Sequence, residues 1–308
     1  MGKESVAYWL PFRESMTSVS ADAPGFLLRE VRDGLLSELG KLFDEVIEVG
    51  DLRSNILPQD AAIAGEYIAL AWFGDLGSGH RREYGLEVLR GIEEKCKLFN
   101  PSNGYATAMD KYATAKFLKQ KKIPSPEYVL FDPSNVEQAA KRMDGWAGVL
   151  LKPRWGGYGI GIVKIDSPAD LVDYCDYMPP SIHYAERYIL NSPKDWVGIN
   201  IIGGEYAYAY AKSESSFKGG WKVWDRSRIG GKMLLADPPE EYIGYAEDVA
   251  ENLRMSWVGV DIITANDGPP YVVDVNAFPG LYPEMYAKAG ADVPKMMAEA
   301  IRKGVDTK

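Results

Sequence analysis

Two short apolar runs near the end of the chain decide its fold: WVGVDII (Trp257–Ile263) and YVVDVN (Tyr271–Asn276). Both runs are rich in β-branched residues, and the segment between them, TANDGPP, is rich in residues that form turns. The pattern therefore predicts a β-hairpin, and each of its strands carries one acidic residue.

The two acids of this hairpin, Asp261 and Asp274, are predicted to face each other. If the turn is centred on its Asp-Gly pair, simple register places the two residues directly opposite, and Asn276 lies on the same face as Asp274. Facing like charges destabilise a sheet, and ionised carboxylates in so apolar a run lose hydration. A magnesium ion, which prefers oxygen ligands, removes both objections. The alternative is a solvated face of an edge hairpin.

A glycine-rich turn follows an earlier strand in the segment LLKPRWGGYGIGI. The predicted strands are Val149–Lys152 and Gly161–Ile165, and Lys152 ends the first of them. Glycines allow backbone N–H groups to approach an anion, and the lysine adds a point charge for a phosphate. This is not a P-loop, because the lysine precedes the glycines and two strands flank the turn. A hairpin tip without a ligand is the alternative. The glycines are Gly156, Gly157, Gly159 and Gly161.

Upstream, the segment Phe99–Thr107 predicts a break, and residues 108–121 predict a helix that ends before IPSP. Lys111 falls on one stripe of this helix with Ala115 and Leu118. Its ammonium group either contacts a ligand, or it lies in water while the alkyl part of the side chain covers the apolar surface of the helix.

Two further segments supply candidate ligand contacts. The run Ala185–Leu190 (AERYIL) predicts a strand whose backbone can hydrogen-bond to the edge of a nucleotide base. Any strand in a protein core, however, has a similar sequence. Arg226 and Arg228 lie in a tryptophan-rich loop and are candidates to clamp a carboxylate or phosphate, with surface ion pairs as the alternative.

The first 105 residues predict an α/β unit with a parallel sheet, since strand-like runs alternate with helical periodicity. No G-x-G-x-x-G follows a strand, so a dinucleotide site has little support. His80, Arg81, Arg82 and Arg13 are candidates to contact an anionic substrate, with a solvated loop as the alternative. At the other end, Asp292 predicts the cap of a last helix, and Gly304 predicts its end.

Composition narrows the class of protein. The net charge of −9 argues against a binder of nucleic acid or of anionic membranes. Two cysteines without metal-type spacing are expected to be buried thiols, and two histidines make a zinc site unlikely. The N-terminus does not read as a signal peptide, and no apolar run is long enough for a transmembrane helix. The sequence thus predicts a soluble, cytoplasmic protein.

Taken in order, these segments resemble the ATP-grasp superfamily and, within it, the RimK-like glutamate ligases. The resemblance covers about residues 99–303, and its strongest element is the pair GVDII and VVDVNAFPG. It implies an ATP-grasp fold, both α/β and α+β, with an N-terminal Rossmann-like α/β domain. The implied domains are 1–105, a central lobe at 106–188 and a C-terminal lobe at 189–308.

The resemblance also implies roles for the candidate residues. Lys111 and Lys152 would hold phosphates beneath a lid formed by Gly156–Gly161. Asp261, Asp274 and Asn276 would hold magnesium, with manganese as an alternative ion. The adenine and nucleotide contacts would come from Glu186, Arg187, Tyr188 and Asp195.

The implied chemistry is an amide or peptide bond formed through an acyl phosphate. The substrates would be a small carboxylate and an amine, with ligation of a glutamate-type amino acid to a small molecule, peptide or cofactor as one form. A homo-oligomer is compatible with the sequence. One alternative is a small-molecule kinase with the same ATP-binding fold. A further alternative is a regulatory protein that binds a nucleotide without catalysing a reaction.

The sequence departs from the family at three places near the expected substrate. Asp274 stands where the family usually has glutamate, and Val197 stands where it has a basic residue. The loop GGWKVWDRSRIGG also differs from the usual pattern. We interpret these changes as a sign of an unusual acceptor.

Overall fold

The structure is a computed structural model. It describes residues 4–13, 27–52, 67–77, 79–156, 159, 161–168, 170–177, 181–212, 217–218, 222–223, 233–266 and 268–307.

A parallel sheet forms the N-terminal unit. Its strands have the order β4-β1-β5-β6, and a small parallel pair, β2-β3, lies beside it. The alternation of apolar strands with amphipathic helices requires this arrangement, because each helix buries one stripe against the sheet. The strands are β1 (Ser5–Trp9), β2 (Phe12–Arg13), β3 (Leu27–Leu28), β4 (Glu45–Glu48), β5 (Ala69–Trp72) and β6 (Lys97–Phe99), and the helices are α1 (Arg29–Leu42) and α2 (His80–Glu93).

An antiparallel sheet with the order β7-β10-β8-β9 forms the middle of the chain. Helices α5 and α6 pack on it through a small core in which Met143, Val149 and Leu171 are fully buried. The elements are α3 (Ser102–Met109), α4 (Lys111–Lys121), β7 (Tyr128–Phe131), α5 (Val136–Arg142), β8 (Val149–Lys152), β9 (Val163–Ile165), α6 (Asp170–Tyr177) and β10 (His183–Arg187).

A second antiparallel sheet, of order β15-β12-β11-β16-β17, forms the C-terminal part. Its elements, with the following helices, are β11 (Trp196–Ile202), β12 (Glu205–Lys212), β13 (Phe217–Lys218), β14 (Lys222–Val223), β15 (Met233–Ala236), α7 (Glu240–Leu253), β16 (Trp257–Thr264), β17 (Pro270–Asn276), α8 (Pro283–Lys288) and α9 (Val293–Asp306). The predicted mixture of α/β and α+β architecture is confirmed.

The two faces of this second sheet differ in what covers them. Odd-numbered residues of β11, such as Ile199 and Ile201, share a core with α7. The opposite face, with Trp196 from β11 and Tyr208 and Tyr210 from β12, shares a core with α9 and the N-terminal unit. This second face carries Asp261, because cross-strand partners lie on the same side of a sheet.

Two predictions about helices are wrong. The break predicted at residues 99–107 is largely helix α3, and the helix predicted over residues 108–121 begins later, as α4 at Lys111, since Ala108 and Met109 end α3. Asp110 separates them, because its carboxylate accepts hydrogen bonds from the first turn of α4 at Tyr112 N (3.0 Å) and Ala113 N (3.3 Å).

The last helix begins as predicted, with Asp292 accepting from Lys295 N, but Gly304 lies inside it. A Cβ at residue 304 would meet the Phe99 ring at 2.5 Å. The glycine therefore serves the packing of β6 against α9 and does not end the helix.

Asn100 connects the N-terminal unit to the C-terminal sheet. Its side chain accepts from Ser256 N (2.7 Å) and Trp257 N (3.1 Å) and donates to Trp257 O (2.8 Å). Its own carbonyl accepts from Trp72 Nε1 at 2.6 Å. The residue is 2% exposed, so these groups have little access to water as substitutes.

No helix among the described residues combines the length and the apolar character needed to cross a membrane.

Replacing Asn100 with alanine should lower the free energy of unfolding by about 3 kcal/mol, since buried backbone groups of β16 lose their partners. The measurement is chemical denaturation, and Asn103→Ala at an exposed position of α3 is the matched control. Equal stability of both variants would contradict this role for Asn100.

Candidate active site

The predicted hairpin is present as β16 and β17, and its two acids face each other. Asp261 is the cross-strand partner of Asp274, and Gly259 is the partner of Asn276. The predicted register of these residues is confirmed. The side chains of Asp261, Asp274 and Asn276 therefore lie close together on one face of the hairpin, at two neighbouring cross-strand pairs.

A β-bulge sits beside the acids and was not predicted. Beyond Asp261 the register shifts by one residue, so that Ile262 faces Val272 and Val273 is the extra residue. The Val273 carbonyl accepts from Lys152 Nζ at 3.4 Å. The bulge thus leaves a backbone acceptor for the lysine that ends β8.

Asp261 continues a line of residues across the sheet, with Gly198 opposite it on β11 and Tyr210 opposite Gly198 on β12. The Tyr210 ring occupies the space above the glycine, where a Cβ would lie 2.7 Å from Cζ. Burial raises the pKa of Tyr210 well above its usual value, with further contributions from Tyr282 and Asp261. A neutral phenol consequently borders the acid pair.

The carboxyl of Asp261 is costly to ionise in the metal-free protein. Burial raises the pKa of Asp261 to about 7, and the Asp274 carboxylate adds to this rise. Lys212, Lys111 and Lys152 oppose it. A divalent cation between the two acids would favour the charged form of both.

Lys111 and Lys152 reach the same strand from the central part of the chain. Lys111 Nζ lies 3.1 Å from Asp274 Oδ1 and donates to Gly156 O at 3.0 Å. Lys152 Nζ lies 2.6 Å from Glu186 Oε1, and both side chains of this pair are buried. Glu186 is also bound by the Tyr184 hydroxyl at 3.0 Å. The two lysines are therefore held beside the acid pair by acidic partners.

The beginning of the glycine-rich turn is tied to the start of α4. Arg154 donates to the carboxylate of Asp110 through Nε at 2.9 Å and through its terminal nitrogen at 2.6 Å. Lys111 N donates to Arg154 O at 3.0 Å. This bidentate pair aligns the two segments that carry Lys111 and Gly156.

The described glycines of this turn have backbone conformations that residues with a side chain rarely adopt. Their φ angles are +138° at Gly156, +68° at Gly159 and +74° at Gly161. At Gly161 a Cβ would also meet Pro153 at 2.7 Å. Gly157 lies outside the described residues, so the prediction for it stays untested.

The residues predicted to contact the nucleotide have these partners. Arg187 pairs loosely with Glu127 at 3.6 Å and donates to the Tyr271 hydroxyl at 3.3 Å. Tyr188 N donates to Gly148 O, and the Tyr188 ring lies 4.9 Å from Lys164 Nζ. Asp195 ends a 3₁₀ turn that Ser192 caps, and its carboxylate accepts from Ser192 N. Their nucleotide roles stay predictions.

Arg226, Arg228 and the side chain of Arg13 lie outside the part of the chain that the structure describes. The remaining N-terminal candidates occupy the first turn of α2, where His80 and Arg81 are exposed and Arg82 is half-buried.

Two features of the site, Lys212 and the Asp110–Arg154 pair, were not predicted from the sequence. Lys212 ends β12 with its ammonium 4.0 Å from the Trp196 ring centroid, and of the three nearby lysines it opposes the rise in the pKa of Asp261 most strongly. The alternation in EYAYAYAK places it on the face of Tyr208 and Tyr210, but finding it required the strand order. The Asp110–Arg154 pair joins residues 44 apart and has no local signal.

The donor set fits a magnesium ion that is shared with phosphates. Among the described residues no group of three His, Cys, Asp or Glu side chains forms a metal site. Two carboxylates and one amide oxygen leave coordination positions for phosphate oxygens and water, which is how magnesium is commonly bound.

Replacing Asp261 with asparagine should raise the melting temperature of the metal-free protein at pH 8 by about 4 °C. The unfolded chain loses this proton near pH 4 and the folded protein near pH 7, so the cost of Asp261 grows between these values and is fully present above pH 7. The advantage of the variant should therefore shrink as the pH falls from 7 to 4 and vanish below pH 4, where aspartate is protonated in both states. Differential scanning calorimetry measures this, with the exposed Asp248→Asn as control. A lower melting temperature at pH 8 would contradict the account.

Comparison with known proteins gives consistent results. Residues 108–280, more than half of the chain, match the ATP-grasp domain family. A tetrahydromethanopterin:alpha-L-glutamate ligase of Methanococcus maripaludis is 22% identical over 68% of this chain and 70% of its own length.

Solved structures agree at the level of the fold. A RimK domain ATP-grasp protein of Sphaerobacter thermophilus superposes with a TM-score of 0.66 at 16% identity, over 96% of this chain and 99% of that one. A D-cycloserine synthetase gives a TM-score of 0.67 at 14% identity, over 98% and 100%. These findings confirm the predicted RimK-like resemblance, fold class and ligase class. The chain belongs to the ATP-grasp family.

Proposed function

We propose that this protein is an ATP-dependent carboxylate–amine ligase that uses a magnesium ion. The observation that carries the proposal is the convergence of two lysines on the acid-bearing strand. Lys111 Nζ contacts Asp274 at 3.1 Å, and Lys152 Nζ contacts the neighbouring Val273 carbonyl at 3.4 Å. Cations and oxygen ligands so close together suit a nucleoside triphosphate with its metal.

The lysines are placed to bind phosphate oxygens. In the ATP-free protein their charges are balanced by Asp274 and Glu186. When a metal binds Asp274, Lys111 loses this partner and can turn to a phosphate. Lys212, on the far side of Asp261, is a third cation facing the transferred group.

The magnesium ion would be held by Asp261, Asp274 and Asn276, and when bound it neutralises charge on the phosphates. The adenine would lie against the end of β10, where Glu186, Arg187 and Tyr188 mark the expected edge. Glu186 belongs to the buried Lys152 pair, so its contribution to the adenine site would come from the backbone.

The reaction we propose has two steps. A substrate carboxylate oxygen takes the γ-phosphoryl group as the bond to ADP breaks, and an acyl phosphate forms. The amine nitrogen then attacks the acyl carbon, the amine loses a proton, and phosphate leaves as the amide forms. Positioning and charge neutralisation drive both steps, and no covalent enzyme intermediate is needed.

The cysteines support a mechanism without a thiolate. Cys96 and Cys175 are both buried, and burial raises the pKa of Cys96 to about 12. A thiol in this state is a poor nucleophile. An amino acid as one substrate is suggested by the relatives, some of which are named glutamate ligases and others D-alanine–D-alanine ligases.

Turnover by the purified protein should require a carboxylate and an amine together. We expect ADP and phosphate in equal amounts, measured by a coupled assay over a panel of acids and amines. Asp274→Ala should lower the rate at least about 100-fold while circular dichroism stays unchanged. A stable phosphorylated acid formed without amine would show a kinase instead, and no substrate-dependent ADP release would show a regulator.

Replacing Lys152 with methionine should weaken ATP binding about tenfold or more, because a phosphate loses its cation. Isothermal titration calorimetry with a non-hydrolysable analogue measures this, and Lys141→Met at an exposed position of α5 is the control. The variant should also melt at a lower temperature, since buried Glu186 loses its partner. Unchanged affinity in a folded variant would refute the phosphate role.

A further inference from the structure

Asn200 carries an amide in a strand of otherwise apolar residues. Every residue of β11 is buried, and Asn200 is 0% exposed. Burial of an amide costs free energy unless its polar atoms find partners. Asn200 Nδ2 donates to the Gly280 carbonyl at 3.2 Å, whereas Oδ1 has no hydrogen-bond partner in the described part of the chain. The side chain therefore accepts the cost of burial for a single partner, the carbonyl of Gly280.

Asn200 belongs to a row of residues that crosses the C-terminal sheet next to the acid pair. Its cross-strand partners are Tyr208 on β12 and Gly259 on β16, and Gly259 is in turn the partner of Asn276 on β17. Asn200 alternates with residues that face α7, so it lies on the opposite face, which carries Asp261. This row thus ends at the predicted metal ligand Asn276.

The chain that follows Asn276 turns back and crosses the same row. We call residues 277–282 the crossover segment. A Cβ at position 259 would lie 3.3 Å from Pro279, so the segment passes directly over Gly259. Pro279 is itself buried. The crossover segment therefore packs closely on the sheet face between Asn276 and Asn200.

The Tyr208 hydroxyl holds the crossover segment at two points. It donates to the Gly280 carbonyl at 2.5 Å and accepts from the backbone N–H of Tyr282 at 2.9 Å. Asn200 Nδ2 is the second donor to this carbonyl, so both lone pairs of the oxygen are used. Burial raises the pKa of Tyr208 above its usual value, and the hydroxyl consequently keeps its proton and remains a donor.

These contacts fix the direction in which the chain leaves Asn276. On the strand side, Asn276 is held by its pairing with Gly259. On the other side, within the described residues, the first side-chain hydrogen bonds to the backbone are those at Gly280. An amide oxygen binds a metal well only when its backbone keeps it in place, and groups that orient a metal ligand typically change metal affinity about 10-fold to 100-fold.

We propose that Asn200 and Tyr208 are positioning residues that hold the crossover segment and thereby orient Asn276 toward a divalent cation at the acid pair. Both act through the Gly280 carbonyl and not through contact with the metal. The inference rests on the proposed function for the identity of the metal ligand. Metal binding tests it independently of turnover.

The test measures the affinity of the full chain for Mn²⁺ by electron paramagnetic resonance, which detects the free ion. Tyr208→Phe removes both contacts of the hydroxyl and should weaken Mn²⁺ binding about tenfold. Asn200→Leu leaves the Tyr208 donor in place, so its expected loss is about threefold. The double variant leaves the Gly280 carbonyl without a donor and should lose more than the product of the two single effects.

Tyr286→Phe is the matched control. The Tyr286 ring lies 6.2 Å from the Tyr208 ring in the same buried cluster, and this substitution removes a hydroxyl that does not bind the crossover segment. Its affinity for Mn²⁺ should equal that of wild type.

Asn200→Leu separates positioning from stability. The substitution removes a buried oxygen that has no partner, so the melting temperature should stay unchanged or rise while the affinity for Mn²⁺ falls. A purely structural role would instead lower the melting temperature and leave the affinity of the folded variant unchanged.

Two outcomes overturn the proposal: wild-type affinity for Mn²⁺ in the double variant, or no Mn²⁺ bound by wild type with or without a non-hydrolysable ATP analogue. Failure of the proposed function looks different, since the variants would still bind Mn²⁺ more weakly while wild type released no ADP with an acid and an amine. If the function holds, Tyr208→Phe should lower kcat at limiting magnesium and keep the KM of ATP within about twofold. Excess magnesium should then restore most of the rate, which it would not do for a folding defect.

Discussion

The facing carboxylates of Asp261 and Asp274 are the constraint on which the rest of the site depends. Two like charges at directly opposed positions of an antiparallel ladder repel each other, and burial makes ionisation of Asp261 costly. Three lysines from separate elements, Lys111, Lys152 and Lys212, offset part of this cost by favouring the charged form of Asp261. A divalent cation between the two acids would lower the pKa of Asp261 and so favour its charged form.

The architecture explains how those lysines arrive. Lys111 begins α4 because Asp110 caps that helix, and the Asp110–Arg154 pair draws the glycine-rich turn to the same place. Lys152 ends β8 beside Glu186 of β10, and its ammonium lies 3.4 Å from the Val273 carbonyl of β17. Lys212 comes from the C-terminal sheet itself. Positive charge thus approaches the acids from three separate elements, α4, β8 and β12.

Much of this could be predicted from local patterns. The hairpin was readable from two β-branched runs and a turn, and the facing acids followed from a period of two. Between the acids and the turn, the observed strand pairing nevertheless differs from the simple register by one residue. Val273, the extra residue of the bulge, compensates for this difference, so that Asp274 still faces Asp261. Nothing in an apolar run such as YVVDVN indicates where a bulge will form. The pairing of Asp261 with Asp274 was therefore predicted correctly, but the bulge that accompanies it was not.

Long-range contacts account for the other failures. Gly304 looked like the end of a helix, but its small size serves the Phe99 ring, which comes from a strand 205 residues earlier in the chain. Asn100, Lys212 and the Asp110–Arg154 pair matter through partners in distant elements.

The most direct test of the account is a crystal structure with manganese and a non-hydrolysable ATP analogue, using the anomalous signal of the metal. The account predicts a manganese peak within about 2.2 Å of oxygens from Asp261, Asp274 and Asn276, with Lys111 released from Asp274 and bound to a phosphate. A nucleotide bound in the cleft while Lys111 stays paired with Asp274, and no anomalous peak at the acid pair, would contradict it.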